Sequence, residues 1–263
     1  VTTNRRSALI TGASSGIGAS FARHLAAQGH DVLLVARRAE RLEKLAAELH
    51  QDHGVRSEVF PADLTDPAAA AAITDHAAAQ NMAIDILINN AGLSASTKFT
   101  ATPWESVAAE IQLMVTTSTQ LCHLVIPGMK QQNWGRIVNL SSLAALFPPV
   151  EGLLYTGIKA YVLDMSQSLD MELKPHGIHV TALCPGFTHS EFHDVMDTRE
   201  TADRLPRLLW QQPEDVVREG WAAVMNGKPV CIPGTVNKLN AAAIRPLPQR
   251  IQYILGRSLN PFK

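Results

Sequence analysis

The sequence predicts a doubly wound α/β fold, a largely parallel sheet of about seven strands with helices on both faces. Three observations carry that expectation. Apolar runs of strand length recur along the 263 residues, helix-length periodic stretches separate them, and a glycine-rich turn joins the first run to the first helix. Strands buried on both faces read as continuous apolar runs, and these runs do.

The strands are expected at 8–11 (ALIT), 31–36 (DVLLVA), 57–62 (SEVFPA), 84–89 (IDILIN), 136–140 (RIVNL), 179–184 (HVTALC) and 229–233 (PVCIP). Helices are expected at 17–28, 39–50, 67–80, 103–127, 153–174 and 213–225. Thr102-Pro103-Trp104-Glu105 supplies an N-cap, a proline at the first helical position and a capping-box glutamate. Asp66-Pro67 marks another start in the same way. Neither a repeat nor a linker interrupts the pattern, so a single domain over 1–263 is expected. The stretch 186–212 lacks a clear period and is read as a substrate lid, and 235–263 as a C-terminal tail.

Composition excludes several classes. With 23 basic and 24 acidic residues and no block of like charge, binding to nucleic acid or to a membrane surface by charge alone is not expected. No apolar run reaches spanning length, and residues 1–8 lead into a strand without a signal-peptide core. Cys122, Cys184 and Cys231 lie in apolar surroundings and read as buried thiols of a reducing compartment, so a cytoplasmic protein is expected. His189 and His193 with Glu191 between them do not match the metalloprotease spacing, and no metal site is expected.

The turn TGASSGIG (11–18) sits between strand and helix. Gly12, Gly16 and Gly18 let the backbone turn sharply and approach a diphosphate, and Ser14, Ser15 and Ile17 lie where the helix N-terminus offers N–H groups to an anion. This is a cousin of the dinucleotide fingerprint of Rossmann-type sheets; the bland alternative is a connector. The second strand ends Val35-Ala36-Arg37-Arg38 with no acid to accept from ribose hydroxyls. Arg37 and Arg38 suit a 2′-phosphate, so NADP(H) is expected over NAD(H); the alternative is a solvated arginine pair. Asp63 and Leu64 follow the third strand, with Asp63 near the adenine amino group. Asn90, Ala91 and Gly92 of NNAG follow the fourth, at the carboxyl edge where open α/β sheets bind ligands.

The motifs TGASSGIG, NNAG, a serine thirteen residues before a tyrosine, Tyr-x-x-x-Lys and Pro-Gly stand in order at successive strand ends. In this the chain, from about residue 5 to residue 233, resembles the short-chain dehydrogenase/reductase family. The resemblance implies hydride transfer between a nicotinamide and a carbonyl or secondary alcohol, with Ser142, Tyr155 and Lys159 catalytic. Tyr155 and Lys159 are four apart and share a helix face. An ammonium beside the phenol, with the positive nicotinamide of the oxidised cofactor, is expected to lower its pKa, Tyr155 to exchange the proton, and Ser142 to orient the substrate oxygen. Tyr155 and Lys159 also join the cofactor set, since the resemblance implies that Lys159 reaches the nicotinamide ribose. It further implies a clamp on the nicotinamide at Pro185-Gly186, a carboxamide partner at Thr188, and a homodimer or homotetramer packed through the two long helices. Ser141, on the other strand face, reads as structural.

One departure stands out. Many members carry an asparagine where this chain has Met114, and a thioether cannot hold a water as an amide does. That keeps open a second reading, a catalytically weakened dinucleotide-binding sensor or scaffold. Leu146, Phe147, Pro149, Leu153 and Leu154 either line a hydrophobic substrate pocket, with Ser94, or pack the core. The tail from 235 is read as a helix over the pocket, on a partner subunit or on a membrane surface, with Pro246 and Pro248 breaking its period and disfavouring an anchor.

Overall fold

A computed structural model describes residues 5–93, 99–148, 154–190 and 209–258. Its strands are β1 (Ser7–Thr11), β2 (Asp31–Ala36), β3 (Ser57–Pro61), β4 (Ile84–Asn89), β5 (Gly135–Leu140), β6 (Ile178–Leu183), β7 (Phe187–Thr188), β8 (Trp210–Gln211) and β9 (Val230–Cys231). Seven of them form one sheet in the order β3-β2-β1-β4-β5-β6-β9, with every neighbouring pair parallel. The order reverses between β1 and β4, which opens a crevice at their carboxyl ends, where this fold class binds its ligands.

The helices are α1 (Gly16–Ala27), α2 (Ala39–His53), α3 (Ala69–Ala79), α4 (Trp104–Ile111), α5 (Ser118–Gln132), α6 (Leu154–Leu173), α7 (Pro213–Met225), α8 (Thr235–Ile244) and α9 (Gln249–Ser258). Alternate residues of each central strand serve opposite faces, as the period of two requires. Ala8, Ile10, Val32, Leu34, Ile86 and Ile88 join Phe21, Leu25, Leu42 and Trp221 on one side. Leu9, Leu33, Val35, Leu87 and Ile137 join Ile73, Leu121, Val125 and Ile158 on the other. Both faces are thereby dry, which is why the strands carry no polar alternation.

A buried polar bridge sets the helices over the sheet centre. Asn89 Nδ2 donates to Asn139 Oδ1 at 2.9 Å and to the Ser118 carbonyl at 3.0 Å. Asn139 Nδ2 in turn donates to Ser166 Oγ at 3.0 Å, and Ser166 to the Val162 carbonyl at 2.6 Å. β4 and β5 are thus tied to α5 and α6, and α6 carries Tyr155 and Lys159.

The structure differs from the sequence reading in several places. The helix expected at 103–127 is two α-helices joined by a π-helical turn, Gln112–Thr117. There Ser118 Oγ donates to the Met114 carbonyl and Thr119 Oγ1 to the Val115 carbonyl, each at 2.6 Å. Hydroxyls that bond back one turn compete with the regular ladder and let it widen. Pro127 does not end α5, because it lies on the exposed side; the helix runs on to Asn133, which closes it in the left-handed conformation at φ 49°. At the start of α4, Pro103 rather than Thr102 occupies the cap. α3 begins at Ala69, two residues late, since Asp66 Oδ1 accepts from the Ala68 N–H at 2.9 Å and forms a turn before the helix. Within the expected lid, β7 and β8 pair as a short parallel ribbon, Phe187 opposite Trp210 and Thr188 opposite Gln211. The tail is two helices separated by the Pro246–Pro248 segment.

Candidate active site

The glycine-rich loop leaves β1 at Thr11, a buried residue whose hydroxyl organises two motifs at once. Thr11 Oγ1 accepts from the Asn90 N–H at 3.0 Å and the Ala91 N–H at 3.1 Å. Asn90 Nδ2 returns a bond to the Thr11 carbonyl at 2.9 Å and one to Gly12 at 3.3 Å. The Asn90 amide therefore stitches the two loops together. Gly12 and Gly16 turn at φ 66° and 54°, where a Cβ is strained. The α1 N-terminus that follows has no acidic residue in its first turn, and its cap residue Ser15 makes no side-chain capping bond. Its dipole is thus left unneutralised, which suits an anion.

Arg38 Nη2 donates to Ser14 Oγ at 3.0 Å and to Ser15 Oγ at 3.3 Å, so a guanidinium is fastened at the rim of the glycine loop. Arg37 beside it is exposed. Across the groove Asp63 accepts from the Thr65 N–H and hydroxyl at 3.0 and 2.8 Å. Those bonds, aided by the charge of Arg37, hold its carboxyl below the usual range. Leu64 is buried, and its carbonyl accepts from Thr117 Oγ1 at 2.9 Å. Loops after β1, β2, β3 and β4 thus line one crevice whose donor set, N–H groups and guanidiniums, fits the diphosphate of a dinucleotide.

At the other end of the crevice Ser142 opens a turn of 3₁₀-helix over Leu143–Leu146 and accepts from the Ala144 N–H at 3.1 Å. The Tyr155 hydroxyl bonds Ser142. Lys159 Nζ donates to the Leu140 carbonyl at 2.8 Å and lies 5.4 Å from the centre of the Tyr155 ring. Ser141 turns away and donates to the Lys159 carbonyl at 2.7 Å, a structural bond that fixes α6 against β5. Met114 Sδ and Lys159 Nζ flank Gly92: a Cβ there would stand 3.6 and 3.9 Å from them. The position read as the departure therefore does adjoin the lysine.

With the protein's own groups alone, burial governs both titrating side chains. Burial pushes the Tyr155 phenol up to about 12, against a smaller lowering by the Ser142 bond. Burial likewise brings the Lys159 ammonium down to about 8. The lysine lies over the face of the ring, 5.4 Å from its centre, and desolvation is the largest influence on both groups. Cys184, packed under Ser141 and close to Lys159, is raised to about 11 by burial and is no competing nucleophile.

The Pro185–Gly186 turn follows β6, and the Pro185 carbonyl accepts from the Leu143 N–H at 2.9 Å, joining the turn to the Ser142 loop. Thr188, expected to meet the carboxamide, is buried and donates to the Gly186 carbonyl at 3.1 Å. Ser190, two residues on, is the one set against the glycine loop, within 2.9 Å of where a Cβ on Gly16 would stand. Thr11 and Ser190 escaped the sequence reading; the signal for each was a hydroxyl next to a motif glycine or one alternation beyond the Pro-Gly turn.

Among the apolar candidates, Leu146 packs with Leu143, Leu163, Ala182, Cys184 and Ala241, Phe147 lies partly buried against that group, and Leu154 joins the main core. Ser94, Pro149, Leu153, Glu191 and His193 lie outside the described residues. His189 stacks on Trp210 with ring centres 4.7 Å apart, which gives it a packing partner in the ribbon.

A crevice of this kind, with a nucleotide cradle at one end and a serine, tyrosine and lysine at the other, defines a nicotinamide-dependent oxidoreductase acting on CH–OH or C=O groups. Comparison with known proteins agrees. The family model described as short chain dehydrogenase matches residues 6–201, and the chain belongs to that family. Serine 3-dehydrogenase of Agrobacterium fabrum is 38% identical over 204 residues, covering 75% of this chain and 78% of the relative. A short-chain dehydrogenase from Sphingobium yanoikuyae, solved in complex with NADPH, superposes with a TM-score of 0.82 at 36% identity, covering 90% of this chain and 92% of that one. The bulky-bulky ketone specific alcohol dehydrogenase from Comamonas testosteroni gives a TM-score of 0.77 at 33% identity over 92% and 93% of the two chains.

Burial of Lys159 has a measurable pH signature. Between about 8 and 10.5 the folded lysine is neutral while the unfolded one is still charged, so the unfolded state binds more protons and stability rises with pH. The stability of the wild type relative to Lys159→Met, from urea denaturation, is expected to climb across that window by up to about 3 kcal/mol. A flat difference would show that the ammonium is not desolvated.

Proposed function

We propose that the protein carries out NADP(H)-dependent reduction of a ketone or aldehyde, or oxidation of a secondary alcohol, with Tyr155 as the general acid and base. The observation that carries the reading is the bond between the Tyr155 hydroxyl and Ser142, with the buried Lys159 against the ring. When bound, the nicotinamide supplies or accepts the hydride and, in its oxidised form, adds a positive charge. Ser142 holds the substrate oxygen beside the phenol and stabilises its developing charge. Tyr155 passes the proton to that oxygen in reduction and takes it back in oxidation. Lys159, anchored on the Leu140 carbonyl, keeps a cation beneath the ring and reaches toward the ribose. Gly12, Ser14, Ser15, Gly16, Ile17 and Gly18 receive the diphosphate, Asp63 and Leu64 the adenine, and Pro185–Gly186 with Ser190 the nicotinamide end.

Preference for NADP(H) is supported by Arg38 tied to Ser14 and Ser15, by the exposed Arg37, and by the lack of an acid at the β2 tip. The NADPH bound by the Sphingobium relative is in keeping with it. The ketone specificity of the Comamonas relative favours a ketone with bulky substituents. We read the chain as one nucleotide-binding domain that pairs through α5 and α6, whose Leu124, Tyr161 and Met171 are exposed. Three buried free cysteines favour the cytoplasm. No described helix is long and apolar enough to cross a membrane. A nucleotide sensor of the same fold is the second reading, favoured by Met114 beside the lysine.

A panel of ketones and aldehydes with NADPH separates the two readings: turnover selects the reductase, and nucleotide binding without turnover selects the sensor. Tyr155→Phe is expected to bind NADPH as the wild type does and to lose turnover about a thousandfold; retained turnover removes Tyr155 from the role. The double change Arg37→Ala with Arg38→Ala is expected to weaken NADPH binding about a hundredfold and NADH binding little. Equal weakening of both would overturn the cofactor assignment.

A further inference from the structure

We propose that α8 is part of the active-site support, with Asn237 as a positioning residue for the Pro185–Gly186 turn and the β7–β8 ribbon. The helix lies beyond the residues matched by the family model. The proposal rests on the reading of Pro185–Gly186 as the clamp on the nicotinamide.

α8 buries two side chains, Asn237 and Ala241, which stand four apart and so share one face. Asn237 is only 4% exposed. Its Nδ2 donates to Gln211 Oε1 at 2.8 Å and to the Pro233 carbonyl at 3.0 Å. Gly186 meets the same amide: a Cβ there would come 2.7 Å from Asn237 Nδ2 and 2.8 Å from Oδ1. Glycine at 186 therefore does more than turn the chain, since it lets a side chain from α8 bear on the clamp's backbone.

Gln211 carries the contact onward. It lies on β8, pairs with Thr188 of β7, and its backbone carbonyl accepts from the His189 N–H at 3.0 Å. One amide thus joins α8, the clamp and the ribbon that presents Ser190 to the glycine loop. Ala241 supplies the other arm. It packs with Leu143 and Leu146, the residues that follow Ser142, and Leu143 is bonded to Pro185. The Ser142 loop and the Pro185–Gly186 turn accordingly rest on one helix face.

The helix is itself fixed at its start. Glu219 of α7 accepts from the Gly234 N–H at 3.0 Å and from Lys238 Nζ at 2.7 Å. Asn237 and Ala241 make their buried contacts with loops and ribbon, apart from the two large clusters that pack the sheet. Loss of the amide should therefore loosen the clamp and ribbon while the sheet keeps its protection.

Hydrogen exchange of the full chain, read peptide by peptide, tests this alongside NADPH titration. Asn237→Leu and Gln211→Leu are expected to speed exchange about tenfold in peptides over 185–190 and 209–212, to leave β1 to β4 unchanged, and to weaken NADPH binding about tenfold. The double variant should be no worse than Asn237→Leu alone, because the bond that Gln211→Leu removes is already lost with Asn237. Gln211→Glu keeps the acceptor and should behave as the wild type. Unchanged exchange at those peptides, exchange raised evenly through the sheet, or equal NADPH affinity in wild type and variants would each overturn the proposal. If the wild type binds no NADPH while the ribbon still responds, the clamp reading falls and the positioning of the ribbon by Asn237 stands.

Discussion

Lys159 carries an ammonium to a place that is 5% exposed, and the Leu140 carbonyl accepts from it there. Desolvation is the dominant force on that group and on the phenol above it, and it acts on both in the direction of the neutral form. A neutral phenol bonded to a serine is a proton donor ready for a carbonyl oxygen. The same phenol is a poor base until a further positive charge reaches the crevice. The asymmetry follows chiefly from burial.

What surrounds that pair serves to hold it still. Ser141 fastens the α6 backbone to β5, the Asn89–Asn139–Ser166 bridge fastens α5 and α6 to the sheet centre, and Thr11 with Asn90 fastens the glycine loop to the loop after β4. Each bond joins elements far apart in sequence. Polar side chains buried in this way are expensive unless satisfied, and satisfied they define one arrangement. The π-helical turn at Gln112–Thr117 belongs to the same design, since its widened ladder brings Met114 to the side of Gly92 and Lys159.

Much of this was legible in the sequence because it is written in local pattern. Continuous apolar runs give a sheet buried on both faces, and a glycine-rich turn between strand and helix marks the nucleotide end. The spacing of Tyr155 and Lys159 puts them on one helix face. What was not legible depends on contacts between distant segments. Hydroxyl bonds from Ser118 and Thr119 widen a helix that periodicity shows as regular. Pro127 survives inside α5 because its side of the helix is exposed. Thr188 of β7 is buried, Ser190 beyond the strand packs against the glycine loop, and two strands of two residues leave no periodic trace. The desolvation of the phenol depends on what packs around it, which the spacing of Tyr155 and Lys159 does not show.

The central claim is that desolvation holds the Tyr155 phenol high and that charge brought by the oxidised nucleotide brings it down. Carbon-13 NMR of ring-labelled tyrosine, titrated with pH and assigned against Tyr155→Phe, reads that phenol directly. Titration near 12 without nucleotide and a fall of several pH units on saturation with NADP⁺ is the predicted result. A phenol that already ionises near neutrality without nucleotide, or one that NADP⁺ leaves unmoved, would contradict the account.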